Sequence, residues 1–174
     1  IGESAFAYCF DLESITLPPL LQKITNRMLS ECDSLTAIAI PTAVTEIEQE
    51  AFIGSGLTSI TIPSTVTTLG TGALTSCKNL TTINIQANVT EIPESFAEDS
   101  GRTSVTLPNT LVTIRDGAFA SALANLTEIT IPASVTTIEG RAFGQNGDMT
   151  TITCMAATPP TIGKNAFAVG TGTT

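Results

Sequence analysis

Residues 57–69 read Leu-Thr-Ser-Ile-Thr-Ile-Pro-Ser-Thr-Val-Thr-Thr-Leu, and residues 126–138 read Leu-Thr-Glu-Ile-Thr-Ile-Pro-Ala-Ser-Val-Thr-Thr-Ile. Aligned from their first residues, the two stretches carry apolar side chains at the same places. Their Leu-x-x-Ile-x-Ile part has the period of two that is typical of a β-strand with one buried face. β-branched residues favour a strand, and the proline that follows ends its ladder because it lacks an N–H.

The same pattern recurs along the whole chain. With the first leucine as position zero, it begins at residues 12, 35, 57, 80, 102, 126 and 149, at intervals of 23, 22, 23, 22, 24 and 23 residues. Apolar residues recur at positions three, five, nine and twelve, and an Ala-Phe pair usually follows at sixteen and seventeen. Because Ala5-Phe6 precedes the first full copy, we count seven strand-bearing repeats and a partial N-terminal repeat.

A single repeat of about 23 residues is too short to bury its own apolar side chains, whereas stacked repeats form one continuous core. The sequence therefore predicts a β-rich solenoid of stacked parallel strands, with a second short extended piece in each coil and a short helical turn that carries phenylalanine inward. We expect a single domain over residues 1–169 and a flexible tail over 170–174, which has no apolar anchor. Position five should form a core column: Leu17, Ile40, Ile62, Ile85, Leu107, Ile131 and Cys154.

The repeat that begins at Leu80 departs from the pattern. Gln86 stands where proline is expected, and Phe96-Ala97 reverses the usual Ala-Phe order. The next repeat opens with Arg102 in place of leucine. We therefore expect an irregular coil over residues 94–102.

Composition excludes several classes of function. The 174 residues include no histidine, so a histidine-based catalytic triad and a histidine-ligated metal site are both absent. The net charge of −9 argues against binding to a phosphate backbone. No apolar stretch approaches the roughly 20 residues of a membrane-spanning helix, so we expect no membrane insertion of this segment. Nothing in the sequence specifies a catalytic cleft, and we expect no enzymatic activity.

The full pattern Leu-x-x-Ile-x-Ile-Pro-x-x-Val-Thr-x-Ile-x-x-x-Ala-Phe, with cysteine at position twenty in Cys9, Cys32 and Cys77, resembles BspA-type leucine-rich repeats. The closing Thr-Pro-Pro-Thr-Ile-Gly before Asn-Ala-Phe is similar to Bacteroides members of that family. The resemblance implies a leucine-rich-repeat solenoid from a secreted or surface-attached bacterial protein, and a piece of a longer one. It also implies adhesion to host matrix proteins or to other cells, and it brings no catalytic residue.

The outward positions two and four of the predicted strands carry mainly hydroxyl side chains. Solenoids often bind partners through such a surface, so we expect host or neighbouring-cell surface proteins or glycans to bind there. The candidate residues are Thr61, Thr82, Asn84, Ser104, Thr106, Glu128 and Thr130, with Asn84, Thr106, Glu128 and Thr130 at the centre. Two alternatives remain open: a solvated sheet face without a ligand, and a passive spacer that presents other domains.

Cysteines and carboxylates are the remaining chemical groups. Cys9, Cys32 and Cys77 share one column with parallel side chains, an awkward geometry for a disulfide, so we expect free, buried thiols that pack as small apolar groups. Without histidine or a Cys-x-x-Cys pair, no zinc site is expected. The acidic residues between Glu94 and Asp99 leave open a calcium site. No other cofactor is predicted.

Overall fold

The computed structural model describes residues 1–101, 104–121 and 126–168. Its described part contains short strands in the following order: β1 (Lys23–Ile24), β2 (Glu46–Ile47), β3 (Ser59–Ile62), β4 (Thr68–Leu69), β5 (Thr82–Ile85), β6 (Glu91–Ile92), β7 (Ser104–Thr106), β8 (Thr113–Ile114), β9 (Glu128–Ile131), β10 (Thr137–Ile138), β11 (Thr151–Cys154) and β12 (Thr161–Ile162). The predicted flexible tail, residues 170–174, lies outside the described residues.

The strands stack in parallel on two sides of a solenoid. The first strand of each coil forms the sheets β3-β5-β7 and β9-β11, and the outward side chains of these five strands are called the strand face below. The second strand of each coil forms β1-β2-β4 and β6-β8-β10-β12, the second face. Partners share the same repeat position, as in Ile60↔Ile83 and Ile83↔Val105. The predicted solenoid with like-on-like columns is confirmed.

Two details of that prediction are wrong. Positions two to five are not strands in the first two full coils, residues 14–17 and 37–40. Both outward positions of the second coil are alanines, Ala37 and Ala39, and alanine is depleted in strands. The expected helical turns are also absent, since the described segments that carry phenylalanine are hydrogen-bonded turns and not helices.

The turn of each coil is built on two residues with left-handed backbone. Arg27 and Glu31 have φ of 52° and 53°, and every later pair described falls at the same positions fifteen and nineteen, as in Ser95 and Asp99 with φ of 50° and 53°. Alternate N–H groups of the turn donate to the next coil, for example Leu29 to the Ala51 carbonyl at 2.9 Å. The N–H groups between them bond within the turn, as Ser30 does to Arg27. In an α-helix each N–H bonds to the carbonyl four residues earlier in the same segment. Because alternate N–H groups of this turn bond to the next coil, the turn is not an α-helix.

The core lies between the two faces and the turns. Most leucine, isoleucine and valine side chains of the columns are buried, together with the phenylalanines Phe52, Phe96, Phe119 and Phe143. Ile40, which was expected in the core, is half-buried, and Ile152 and Ile162 of the last described coil are exposed. The rings of Phe143 and Phe167 stack with centroids 5.2 Å apart, as like residues on successive coils should. At the first coil, Tyr8 is 61% exposed and packs edge-on against Phe10 at 6.1 Å.

The irregular coil expected over residues 94–102 is not found in its described part, 94–101. Ser95 and Asp99 keep the left-handed backbone of the other turns, and Ser95 N–H donates to the Asp116 carbonyl at 3.2 Å. The reversed pair changes only the ring packing, because Phe96 meets Phe119 edge-on at 85° while Phe119 and Phe143 stack at 17°. Arg102 lies outside the described residues.

Glycine explains why coils of 22 and 23 residues alternate. The coils that begin at residues 35 and 80 are one residue shorter and end in Ser-Gly, at Gly56 and Gly101. A Cβ at Gly56 would overlap the Asp33 carbonyl oxygen of the preceding coil, and one at Gly101 would overlap the Lys78 carbonyl. The shorter link therefore brings the backbone of one coil into contact with the backbone of the preceding coil. Only glycine, which has no Cβ, allows this approach.

Replacing Gly56 by alanine should lower the free energy of unfolding by about 2 to 3 kcal/mol, because the new methyl group meets fixed backbone. Gly101→Ala should behave in the same way. Gly147→Ala is the matched control, since no heavy atom lies within 4 Å of its Cβ position. Urea unfolding followed by circular dichroism measures all three variants. Equal stability of the Gly56 and Gly147 variants would show that the link relaxes easily.

Candidate functional site

The strand face carries the seven candidate residues on one side of the solenoid. Within β3-β5-β7, Thr61 lies beside Asn84 and Asn84 beside Thr106, and Thr82 lies beside Ser104. Glu128 and Thr130 stand on β9, next to Thr151 and Thr153 of β11. All seven are exposed except Asn84, which is half-buried. Glu128 is the single charged group among them.

A cleft divides this face between β7 and β9. It has a volume of about 410 Å³ and is lined by residues 104–107 and 127–130. Four of the seven candidates, Ser104, Thr106, Glu128 and Thr130, line it, whereas the other three lie on the flat surface of β3 and β5. In residues 104–107 and 126–131, no backbone hydrogen bond joins the two walls. The cleft is therefore an interruption of the sheet.

The interruption leaves main-chain groups of both walls without a strand partner. In a parallel ladder the N–H and C=O of one residue point to the same neighbouring strand, and those of the next residue point to the other. The Ser104 N–H donates to the Thr81 carbonyl of the preceding coil at 3.0 Å, so Ser104 and Thr106 direct their main-chain groups to β5 and Val105 directs its N–H and C=O into the cleft. The Thr127 carbonyl accepts from the Thr151 N–H of β11 and the Ile131 carbonyl from the Met155 N–H just after β11. Glu128 and Thr130 therefore direct their main-chain groups into the cleft from the other side.

The second face differs in chemistry from the strand face, because it carries ion pairs between coils. The guanidinium of Arg115 contacts the carboxylates of Glu91 and Glu139 at 2.7 Å each, and Lys23 contacts Glu46 at 2.6 Å. These pairs satisfy the charges within the solenoid. Glu128 makes no hydrogen bond or ion pair with another side chain in the part of the chain that the structure describes. Its carboxylate is therefore available to a ligand.

The larger notch beside Gly54 and Gly56, of about 560 Å³, has a structural origin. Both glycines lie where neighbouring coils carry side chains, so the space is the by-product of the short link between coils. Glu31 and Asp33 line one side, and Lys78 lines the other. This notch has no interrupted strand ladder, and we assign it no ligand.

Position twenty forms a column of hydrogen-bond donors under the turns. The Cys77 thiol donates to the Phe52 carbonyl at 3.1 Å and the Cys32 thiol to the Phe6 carbonyl at 3.2 Å. Asn146 holds the same place and donates to the Phe119 and Phe143 carbonyls at 2.9 and 2.7 Å. The cysteines of this column were identified from the sequence, whereas Ser55, Ser100 and Asn146 were not. Their common offset from the repeat frame was the signal that would have identified them.

All four cysteines are free thiols, as predicted, but they are not all buried. Cys32 and Cys77 are fully buried, Cys9 is half-buried and Cys154 is exposed. The prediction that Cys154 lies in the core is wrong because β11 has a neighbouring strand on only one side within the described residues. Burial raises the pKa of the Cys32 and Cys77 thiols from 9.0 to about 11, so neither is a nucleophile at neutral pH.

The carboxylates of Glu94, Glu98 and Asp99 do not form a metal cage. Among residues 1–101, 104–121 and 126–168, no three acidic or thiol groups converge on one point. Glu94 is exposed, and Glu98 and Asp99 are half-buried on an ordinary turn. The described residues contain no helix long and apolar enough to cross a membrane.

The fold, the column of donors and the repeat length define a leucine-rich-repeat solenoid. The family model described as BspA type leucine rich repeat region matches residues 1–122 and 93–172, in six copies. The chain belongs to that family. No curated protein matches the chain.

Solved structures of bacterial leucine-rich-repeat proteins are similar. One from Eubacterium ventriosum is 26% identical with a TM-score of 0.78, over 90% of this chain and 42% of its own. One from Bacteroides ovatus, 20% identical with a TM-score of 0.63, covers 95% of this chain and 60% of its own. A leucine rich cell surface protein from Faecalibacterium prausnitzii is 28% identical with a TM-score of 0.54, over 84% and 43%. The chain thus spans about half the length of these proteins.

In the native protein at pH 8, a water-soluble maleimide should modify Cys154 and leave Cys32 and Cys77 unmodified. The first thiol is exposed, whereas the other two are buried and stay protonated. Mass spectrometry of tryptic peptides measures each site, and denatured protein, in which all four thiols react, is the control. Rapid labelling of Cys77 in the native state would contradict the buried column.

Stability should fall as the pH rises from about 9 towards 11. In this range the thiols of the unfolded chain ionise while buried Cys32 and Cys77 stay protonated, so the free energy of the unfolded state falls relative to that of the folded state. Below pH 9 these thiols should contribute no pH dependence. The double variant Cys32→Ser/Cys77→Ser, which keeps both hydrogen-bond donors, should lose this alkaline slope in urea titrations. If the double variant keeps the same dependence of the unfolding free energy on pH as the unchanged protein, other groups cause that dependence.

Proposed function

We propose that the chain is a non-catalytic binding module of a secreted or cell-surface protein, and that it recognises protein or glycan ligands through the strand face. The observation that carries the proposal is the cleft between β7 and β9. It places hydroxyl groups, unpaired main-chain groups and the Glu128 carboxylate around one space. Such groups offer directional hydrogen bonds to a ligand and no nucleophile to attack it.

Family membership and the similar structures support this role. The Faecalibacterium prausnitzii protein is called a cell surface protein. The buried thiols and the ion-paired second face leave the strand face as the broad surface whose polar side chains are mostly not engaged within the solenoid. Hydroxyl groups that make no hydrogen bond within the solenoid can donate to, and accept from, water or a ligand.

The second candidate is a passive spacer that holds other domains away from the cell. The stack of like coils favours it, since each coil adds one strand spacing of about 4.8 Å to a semi-rigid rod. A spacer presents the same exposed hydroxyl groups, but it retains no ligand. The two functions are therefore separated by binding of the chain alone.

The proposal is tested with Thr82→Lys/Thr106→Lys/Thr130→Lys, which places three cations on the strand face. All three threonines are exposed, so thermal stability should change by less than about 0.5 kcal/mol. On an array of purified extracellular-matrix proteins and glycans, the unchanged protein should bind at least one ligand. The affinity of the variant for that ligand should be at least tenfold lower.

The matched control is Thr68→Lys/Thr90→Lys/Thr136→Lys, which adds the same charge at exposed positions on or beside the second face. It should bind as the unchanged protein does. Equal loss in both variants would indicate a charge effect, and binding that survives the strand-face variant would show that the wrong face was chosen. An array on which the unchanged protein retains nothing would favour the spacer.

A further inference from the structure

The chain contains one place where asparagine precedes glycine, Asn146-Gly147, in the link between the turn of one coil and β11 of the next. An asparagine in this position closes readily to a cyclic imide, because glycine has no side chain to hinder the attack of its main-chain nitrogen. We propose that Asn146 is a site of spontaneous deamidation that the folded solenoid protects, and that the reaction, once it occurs, releases β11 from the stack. This chemistry is independent of the proposed function.

The reaction uses only the chain and water. The Gly147 N–H gives its proton to hydroxide, the nitrogen bonds to Cγ of Asn146, and the Cγ–Nδ2 bond breaks as Nδ2 takes a proton from water and leaves as ammonia. Water then opens the imide at one of its two carbonyls. Opening at Cγ gives aspartate. Opening at the main-chain carbonyl gives isoaspartate, in which the main chain runs through Cβ and Cγ and is longer by one methylene.

The folded protein restrains the side-chain amide. Asn146 is 6% exposed, and its Nδ2 donates to the Phe119 and Phe143 carbonyls at 2.9 and 2.7 Å. These bonds engage both amide protons, connect two coils and fix Cγ beneath the turn. Gly147 is exposed and has no heavy atom within 4 Å of its Cβ position. The attacking group is thus accessible, whereas the amide must first leave both carbonyls, so ring closure requires the coil to open.

Deamidation reverses the hydrogen-bonding chemistry of this position. The amide of Asn146 offers two donors to two carbonyls, whereas a carboxylate is an acceptor only. An aspartate in this place would set its negative charge against the carbonyl oxygens of Phe119 and Phe143. The site is buried, and a buried charge without a partner is costly. The coil therefore does not close again as before, and a transient opening becomes permanent.

The strand that follows depends on this link. The Met149 N–H donates to the Asn146 carbonyl at 3.2 Å, two residues before β11 begins. Isoaspartate removes that carbonyl from the main chain and adds a methylene before Gly147, so the start of β11 shifts. Within the described residues, β11 is the one strand paired with β9, in the register that begins at Thr151↔Glu128. Its release leaves one wall of the cleft without a paired strand.

The protection is tested by measuring the rate of deamidation at pH 8 in the native protein and in guanidinium chloride that unfolds it. Liquid chromatography and mass spectrometry of tryptic peptides quantify both products at Asn146. The rate should be at least tenfold higher in the unfolded protein, because ring closure in the native state waits for a local opening. Gly147→Ala, which has an open Cβ position, should lower the rate in denaturant at least tenfold.

The release of β11 is tested with Asn146→Asp, which supplies one product directly. Hydrogen exchange followed by mass spectrometry should be at least tenfold faster over residues 149–162 and unchanged over residues 23–101, because the end of a linear stack can open before its middle. Asn109→Asp is the matched control, since it makes the same change at an exposed side chain. The control should exchange as the unchanged protein does.

Equal rates of deamidation in the native and unfolded states would overturn the protection. Exchange over residues 149–162 that matches the Asn109→Asp control, or faster exchange along the whole chain, would overturn the local release. Neither result bears on ligand binding at the strand face, which the matrix array tests separately.

Discussion

The turns that close the coils, from Ser4 and Tyr8 to Arg141 and Gln145, each bend the chain through two residues with positive φ, and the stack depends on this bend. A left-handed conformation costs a non-glycine residue roughly 1–2 kcal/mol, and the sites include Arg27, Glu31 and Asp99. The conformation directs the N–H of each such residue to a carbonyl of the next coil, as Glu31 donates to Ile53 at 2.8 Å. The strain and the bond between coils are therefore two aspects of one geometry. A coil without a neighbour keeps the strain and loses the bond, so the turns favour a stack over an isolated repeat.

The hydrogen bonds between coils on the other two sides of the solenoid show that the cleft is local and that the two coils are not separated as a whole. On the turn side, Phe119 still donates to the Ala142 carbonyl at 2.7 Å across the boundary where β7 and β9 separate. On the second face, β8 and β10 remain paired across that boundary. Two of the three sides of the solenoid thus hold the coils at their normal spacing. The strand face opens against a fixed support, which keeps the shape of the cleft defined.

The solenoid, its columns and the inward phenylalanines could be predicted because they depend on a periodic pattern that the sequence repeats. The turn conformation could not, since residues as different as Arg27, Ser95 and Gln145 adopt the same left-handed backbone and none carries a strong turn signal. The face of the candidate site was predicted from alternation along the strands. The cleft was not, although the interval from residue 102 to residue 126 is 24 and exceeds all the others. That added length precedes β9 and accompanies the break in pairing. Reversal of Phe96 and Ala97 was misread as irregularity of the coil because the stacked neighbours, which dictate the turn, are not visible in a local pattern.

Tyr8 has a consequence for how the folding of this molecule can be observed. It is the only tyrosine, the chain has no tryptophan, and it lies exposed on the first coil against Phe10. In a linear stack each coil contacts only its neighbours, so the ends can open before the middle. Intrinsic fluorescence therefore reports the opening of one terminal coil, whereas far-ultraviolet dichroism averages over the length of the stack. A difference between the two midpoints would measure how far cooperativity extends along the solenoid.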